Sequence, residues 1–133
     1  MIELSQVTKT FGGAKRALDE LTLTVPQGAV YGLVGSNGAG KSTALRHITG
    51  IYRPDSGSVT IGGLPVYENP TVKSRVGYIP DDLGVLGGGT IKELAAFFRT
   101  MYPRFDTKRY AALRDVFRLD ESTPLRRFSK GMQ

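Results

Sequence analysis

The sequence predicts an α/β fold in which a β-rich first part is followed by a helical second part. Short alternating or apolar runs, separated by turn residues, dominate the first 80 residues. A glycine-rich turn joins one of these runs to a helical pattern. From about residue 90 onward, apolar side chains recur at helical spacing instead. We therefore expect a sheet-containing region over residues 1–80 and a helical region over residues 81–133.

Five segments of the first region have the patterns of β-strands. Apolar and polar residues alternate in Ile2–Val7 and in Leu21–Val25. The apolar run Val30–Val34 is typical of a strand that is buried on both faces. Shorter runs follow at Ser58–Ile61 and Val76–Ile79, and glycine or proline residues separate the segments. The patterns thus predict five strands.

Three helices are predicted from local start and stop signals. The first covers Lys41–Thr49 and is ended by Gly50. Thr90, with a glutamate three residues further on, has the capping-box pattern and begins a helix that runs to about Met101. Asp106 can cap a third helix, which carries three apolar or aromatic side chains on one face: Tyr110, Leu113 and Phe117.

The composition excludes several kinds of site and partner. The chain has 133 residues and no cysteine, so disulfides and thiolate-bound metals are excluded. No run approaches the roughly 18 apolar residues of a membrane span. The net charge of +6 is shared equally, with +3 in residues 1–80 and +3 in residues 81–133. Because no basic block stands out, we expect no nucleic-acid partner.

A complete phosphate-loop motif lies between the apolar run and the first helix. The pattern G-x-x-x-x-G-K-[ST] is matched within Gly35-Ser36-Asn37-Gly38-Ala39-Gly40-Lys41-Ser42-Thr43. Its glycines let backbone N–H groups point at phosphate oxygens, and the helix N-terminus adds positive partial charge. Lys41 places its charge on the β- and γ-phosphates, and the Ser42 hydroxyl can bind Mg²⁺. The motif predicts a nucleoside triphosphate ligand, but kinases, GTPases, motors and transport ATPases all use it.

Four further segments resemble motifs of the nucleotide-binding subunit of ATP-binding-cassette (ABC) transporters, and they occur in the family's order. They are Phe11-Gly12, Arg53–Val59, Gly77–Asp81 and Phe128–Met132. The resemblance covers Ile2 to Gln133 and implies the P-loop NTPase fold of ABC ATPases, with ATP and Mg²⁺ as ligands. The chain is similar to the N-terminal portion of such a subunit, and its helical part looks most like bacterial exporter-type members.

The resemblance also implies roles for residues outside the phosphate loop. Phe11 stands where the family has an aromatic residue that stacks on adenine. Asp81 replaces a family glutamine that contacts Mg²⁺, and an aspartate can also bind this metal. Ser129 and Gly131 belong to a variant of the family's LSGGQ signature, which binds the γ-phosphate held by a second subunit in a head-to-tail dimer. The implied metal ligands are therefore Ser42 and Asp81.

The family's catalytic segment lies beyond the signature, and the sequence holds none of it. This segment contains a hydrophobic strand ending in Asp, a catalytic Glu and a switch His. The only histidine, His47, lies on the phosphate-loop helix and cannot be the switch residue. We therefore assign no catalytic residue. We expect a truncated cassette that binds ATP without hydrolysing it, with Val30–Val34 exposed because its partner strands are missing.

For the full-length protein, the resemblance implies an ATP-binding subunit that couples ATP binding and hydrolysis to transport. Its partners would be a transmembrane permease subunit and a second nucleotide-binding subunit. Its location would be cytoplasmic and peripheral, on the inner face of the cell membrane. Two alternatives stay open: a nucleotide-binding module that does not hydrolyse ATP, and a soluble ABC protein that takes no part in transport.

Overall fold

The computed structural model describes residues 1–13, 15–80, 89–118 and 120–128. They belong to two compact units, Met1–Tyr78 and a second unit that begins at Ile79. The first unit is built from an antiparallel sheet and the phosphate-loop helix. The second contains two longer helices. None of the helices described is long and apolar enough to cross a membrane.

The sheet of the first unit has four strands: β1 (Ile2–Phe11), β2 (Lys15–Val25), β3 (Ser56–Ile61) and β4 (Leu64–Pro65). Their order is β2-β1-β3-β4, and each neighbouring pair is antiparallel. Leu4 of β1 lies opposite Leu23 of β2 on one side and Val59 of β3 on the other. Strand β1 is therefore the shared centre of the sheet.

One helix, α1 (Lys41–Ile48), packs on this sheet and completes the hydrophobic core. Ala44 on α1 is buried together with four sheet residues, Leu4, Val7, Leu18 and Val59. Ile48, one turn after Ala44, is partly buried against the same cluster. Burial of these side chains holds the helix against β2 and β3, and so places the loop before the helix beside β2.

Gly57 is required where β3 passes an irregular part of β1. The register between the two strands shifts between Ser5 and Thr8. Gly57 has a φ of 82°, and a Cβ atom there would lie 2.3 Å from the carbonyl oxygen of Gln6. Any other residue would be strained in this conformation and would collide with the backbone of β1.

Two of the five predicted strands are wrong. Val30–Val34 and Val76–Ile79 belong to no strand, and the relative exposures of Val30 and Val34 are 103% and 94%. A strand needs a neighbour that binds its N–H and C=O groups, and no described segment forms a ladder with either run. The other three predicted strands are confirmed, although β1 and β2 extend further because they pair with each other up to the turn between them.

The predicted helices are confirmed. Besides α1, the structure has α3 (Ile91–Met101) and α4 (Thr107–Phe117), together with a short helix α2 (Pro70–Lys73) and a 3₁₀ helix (Leu125–Arg127) that were not predicted. The Thr90 N–H donates to the Glu93 carboxylate at 2.8 Å, and the Glu93 N–H donates to the Thr90 hydroxyl at 3.2 Å. These bonds are the predicted capping box. The Asp106 carboxylate accepts two backbone N–H groups of α4, which confirms it as a cap.

The second unit is closed by contacts between the start of α3 and the segment after α4. The Leu125 N–H donates to the Gly89 carbonyl at 2.9 Å, and Thr90 pairs with Pro124. The Tyr110 hydroxyl on α4 donates to the Glu121 carboxylate. Burial, followed by this bond, raises the pKa of Tyr110 to about 12. The hydroxyl therefore stays protonated and keeps its role as a donor at neutral pH.

Candidate functional site

The phosphate loop folds around the side chain of Lys41, the lysine of its own motif. The Lys41 ammonium donates to the Gly35 carbonyl at 2.6 Å and to the Ser36 carbonyl at 2.8 Å. Within the loop, the Ala39 N–H donates to the Ser36 carbonyl at 3.2 Å. The positive charge predicted to contact phosphate thus already lies inside the loop.

The loop approaches β2 so closely that one of its glycines cannot be replaced. Gly40 has a φ of 89°, and a Cβ atom there would lie 2.4 Å from the Ala17 carbonyl oxygen and 3.0 Å from a methyl carbon of Leu18. Gly38 has a similar φ of 85°, but a Cβ atom there would meet nothing within 4 Å. The two glycines therefore serve different purposes: Gly38 supplies only a turn, whereas Gly40 also permits contact with β2.

The N-terminus of α1 is left without the side-chain cap that most helices use. Gly40 is the N-cap residue and makes no side-chain hydrogen bond, and the first turn holds no acidic residue. The N–H groups of a first turn carry positive partial charge and need acceptors from outside the helix. Ser42, in this turn, is exposed, and its hydroxyl is a hard oxygen ligand of the kind that Mg²⁺ takes. The arrangement suits a phosphate group with a bound Mg²⁺.

A cavity of about 430 Å³ lies between the phosphate loop and β2. Lys41 and Gly40 form part of its wall, and Leu33 and Val34 form another part. Arg16 and Asp19 of β2 also line it and form an ion pair at 2.6 Å. The cavity is therefore polar beside the loop and apolar beside the run that the sequence suggested as a buried strand.

Phe11 lies at the end of β1, opposite Lys15, with 41% of its surface exposed. Its ring centroid is 5.3 Å from that of Tyr52, and the planes meet at 63°, so the two rings are edge to face. The Lys9 ammonium lies 5.6 Å from the Phe11 centroid, over the ring. Phe11 is thus held from two directions and keeps exposed surface.

Asp55 fixes the Lys9 side chain. One carboxylate oxygen accepts from the Lys9 ammonium at 2.7 Å, and the other accepts from the Thr10 N–H at 2.8 Å. The Asp55 N–H donates to the Thr8 carbonyl at 2.9 Å. The Lys9 bond, followed by the Thr10 N–H, holds the pKa of Asp55 below its ordinary value. The carboxylate is therefore ionised at neutral pH.

His47 lies on α1 and is a buried packing residue, with 1% of its surface exposed. Its Nδ1 is 2.8 Å from the Thr43 carbonyl oxygen, and because a carbonyl only accepts, Nδ1 is the atom that carries the proton. Its Nε2 is buried and has no hydrogen-bond partner within the described part of the chain. The His47 ring stands 5.8 Å from that of Tyr52.

The structure gathers some of the predicted site residues and leaves others undescribed. The phosphate loop forms one contiguous surface, and Phe11 lies outside the cavity wall beside that loop. Asp81, Ser129 and Gly131 lie outside the described residues, so their roles stay predictions. The contacts of Phe11 with Lys9 and Tyr52 were missed, although the spacing of two residues between Lys9 and Phe11 on a strand could have indicated the first of them.

The chain is similar to a known protein family and to individual relatives within it. The family model described as "ABC transporter" matches residues 18–133. The chain is 34% identical over 133 residues to the ABC transporter ATP-binding protein YtrB of Bacillus subtilis, covering 100% of this chain and 45% of the relative. It is 36% identical over 139 residues to the daunorubicin/doxorubicin resistance ATP-binding protein DrrA of Streptomyces peucetius, covering 99% and 42%.

A solved structure of the ATP-binding subunit of an ABC transporter superposes with a TM-score of 0.80 at 30% identity, covering 98% of this chain and 57% of that one. The chain spans less than half the length of YtrB and of DrrA. The predicted P-loop NTPase fold of ABC ATPases is confirmed by this superposition, and the family model extends over most of the sequence. The chain belongs to the ABC transporter family.

Proposed function

We propose that this chain is part of the ATP-binding subunit of an ABC transporter, and that residues 35–43 hold the triphosphate of ATP. The observation that carries the proposal is the phosphate loop itself. Its lysine ammonium is held inside the loop by two carbonyls, in front of a helix whose N-terminus has no side-chain cap. A positive charge and first-turn N–H groups that lack side-chain acceptors together favour a multiply charged anion.

Different residues would bind the phosphates and the base of ATP. Phosphate oxygens would replace the Gly35 and Ser36 carbonyls as acceptors of the Lys41 ammonium. The Ser42 hydroxyl would be one of the chain's ligands to Mg²⁺, which neutralises phosphate charge when it is bound. Phe11 would stack on adenine with the surface that it keeps exposed. ATP and Mg²⁺ are thus the ligands that the described residues suit.

The remaining assignments concern residues that the structure does not describe. Asp81 would contact the metal, and Ser129 and Gly131 would bind the γ-phosphate held by a second nucleotide-binding subunit. The whole protein would lie in the cytoplasm on the inner face of the cell membrane. There, its ATP binding and hydrolysis would be coupled to transport by a transmembrane permease subunit.

The phosphate-loop assignment is tested by calorimetric titration of the chain with Mg-ATP. Lys41→Ala removes a charged donor and should weaken binding by about 100-fold. Lys108→Ala, an exposed lysine of α4, makes the same change in net charge and should change the affinity less than twofold. Far-UV circular dichroism of each variant checks that the fold is kept. Equal ATP affinity in the wild type and in Lys41→Ala would show that the phosphate loop is not the site.

A further inference from the structure

We propose that Tyr52 and the Lys9–Asp55 ion pair are positioning residues that hold the Phe11 ring ready to stack on the base of the nucleotide. This inference rests on the proposed function, because it concerns the residue suggested to contact adenine. It assigns a role to three residues that lie outside the phosphate loop and need not touch ATP themselves.

Tyr52 is the first support, and it is attached to the last turn of α1. Its N–H donates to the Arg46 carbonyl at 3.1 Å, and its ring packs 5.8 Å from that of buried His47. The Arg46 guanidinium lies 5.7 Å from the Tyr52 ring centroid. Because one backbone bond and two ring contacts tie Tyr52 to α1, the ring that meets Phe11 edge to face is held in place.

Lys9 is the second support, and its position is also fixed. Only 18% of its side chain is exposed, and the ammonium over the Phe11 ring is bonded to Asp55 at 2.7 Å. Asp55 is in turn bonded to the backbone of β1 through Thr10 and Thr8. A lysine free to rotate would leave the ring within nanoseconds, whereas this one is bonded to a carboxylate that also accepts from the Thr10 N–H.

The two supports together restrict a side chain that would otherwise choose among rotamers. Phe11 is 41% exposed, and an exposed aromatic ring without neighbours loses rotamer freedom when a ligand binds it. Here the Tyr52 ring and the Lys9 ammonium already limit the Phe11 ring, so less rotamer freedom is lost when a base stacks on it. The helix α1 links both parts of the site, since the phosphate loop precedes its first turn and Tyr52 packs on its last turn.

The experiment compares the affinity for Mg-ATP with that for Mg-tripolyphosphate, which has phosphates but no base. The ratio of the two affinities isolates the contribution of the base. Phe11→Ala should reduce this ratio by about 10-fold or more. Tyr52→Leu should reduce it about threefold to tenfold, and Lys9→Met about twofold to fivefold. Tyr52→Phe keeps the ring and should keep the ratio of the wild type.

Tripolyphosphate affinity itself should stay constant in all four variants, since the phosphate loop is unchanged. Combining Tyr52→Leu with Phe11→Ala should add nothing to the effect of Phe11→Ala, because the support acts only through the ring. Since Lys9→Met changes the other support of the ring, it gives a second test if Tyr52→Leu lowers the stability of the fold.

The outcomes separate this inference from the proposed function. If Phe11→Ala lowers the ratio while Tyr52→Leu and Lys9→Met leave it unchanged, the positioning role is wrong and the proposed function stands. If Tyr52→Leu lowers the affinity for both ligands equally, Tyr52 supports the fold and not the base, and the inference is again wrong. A wild-type chain that binds neither ligand would contradict the proposed function itself.

Discussion

The two ends of α1 are built in opposite ways. At its N-terminus, Gly40 gives no side-chain cap, and Ser42 is exposed. At its C-terminus, His47 is 1% exposed, and Gly50 follows with a φ of 67° and no room for a Cβ atom, which would lie 2.7 Å from Val66. One end presents polar groups to solvent and the other is enclosed by side chains.

This difference shows how a short helix can hold a binding site in a fixed position. The enclosed end sets where the helix lies, because it packs against both the core and Tyr52. The open end can then leave its N–H groups for a ligand without losing its position. Substitutions at the two ends should therefore change the stability of the fold in different ways.

The largest effect is expected at the open end, from Gly40→Ala. A Cβ atom there would meet the Ala17 carbonyl at 2.4 Å in a backbone with positive φ. We expect a loss of about 3 kcal/mol in the free energy of unfolding, from strain and overpacking together. Gly38→Ala is the matched control, since its φ is also positive but its surroundings are open, and it should lose only about 1 kcal/mol. Urea denaturation measures both, and equal losses would show that contact with β2 does not matter.

A smaller change in the free energy of unfolding, of either sign, is expected from substitutions at the enclosed end. His47→Ala removes a buried ring and should lower the free energy of unfolding by about 2 kcal/mol. His47→Met keeps most of the volume, loses the Nδ1 bond to the Thr43 carbonyl, and removes Nε2, a buried atom with no partner within the described residues. This variant should be as stable as the wild type or more stable by up to about 1 kcal/mol. Thermal unfolding decides between these expectations, and a clear loss in His47→Met would mean that the ring's polar atoms stabilise the fold.

The smallest effect concerns pH and the contacts beside Phe11. The pKa of Asp55 is held below its ordinary value of 3.8, chiefly by Lys9 and then by the Thr10 N–H. A depressed pKa in the folded state means that the carboxylate adds stability above that ordinary value, and that this part is lost as pH falls through the folded pKa. Asp55→Asn should therefore be less stable than the wild type at neutral pH, and the gap should shrink in acid. A difference in stability between the wild type and Asp55→Asn that does not change with pH would contradict this expectation.

The structure follows the sequence most closely where the determining contacts are local. The caps at Thr90 and Asp106 act within one turn of their helices, so α3 and α4 could be predicted with their starting points. Strands depend on partners elsewhere in the chain. The run Val30–Val34 has the composition of a buried strand, but composition does not supply a partner, and this prediction was wrong.

The same rule applies to the candidate site. The phosphate loop is contiguous, and its glycines and lysine lie within nine residues, so its place before α1 could be predicted. The support of Phe11 depends on Asp55, which is 46 residues from Lys9 along the chain and next to it in space. No pattern along the sequence reveals such a pair. The roles of Asp81, Ser129 and Gly131 stay predictions from resemblance.

The bonds of the Lys41 ammonium to the Gly35 and Ser36 carbonyls have one further consequence. They make the lysine a non-covalent crosslink that closes its own loop before any anion arrives. Lys41→Met should therefore alter the protein even when no nucleotide is present, by letting the loop open more often. Amide hydrogen exchange across the loop would then quicken in the ligand-free chain, and exchange in β1 would stay slow.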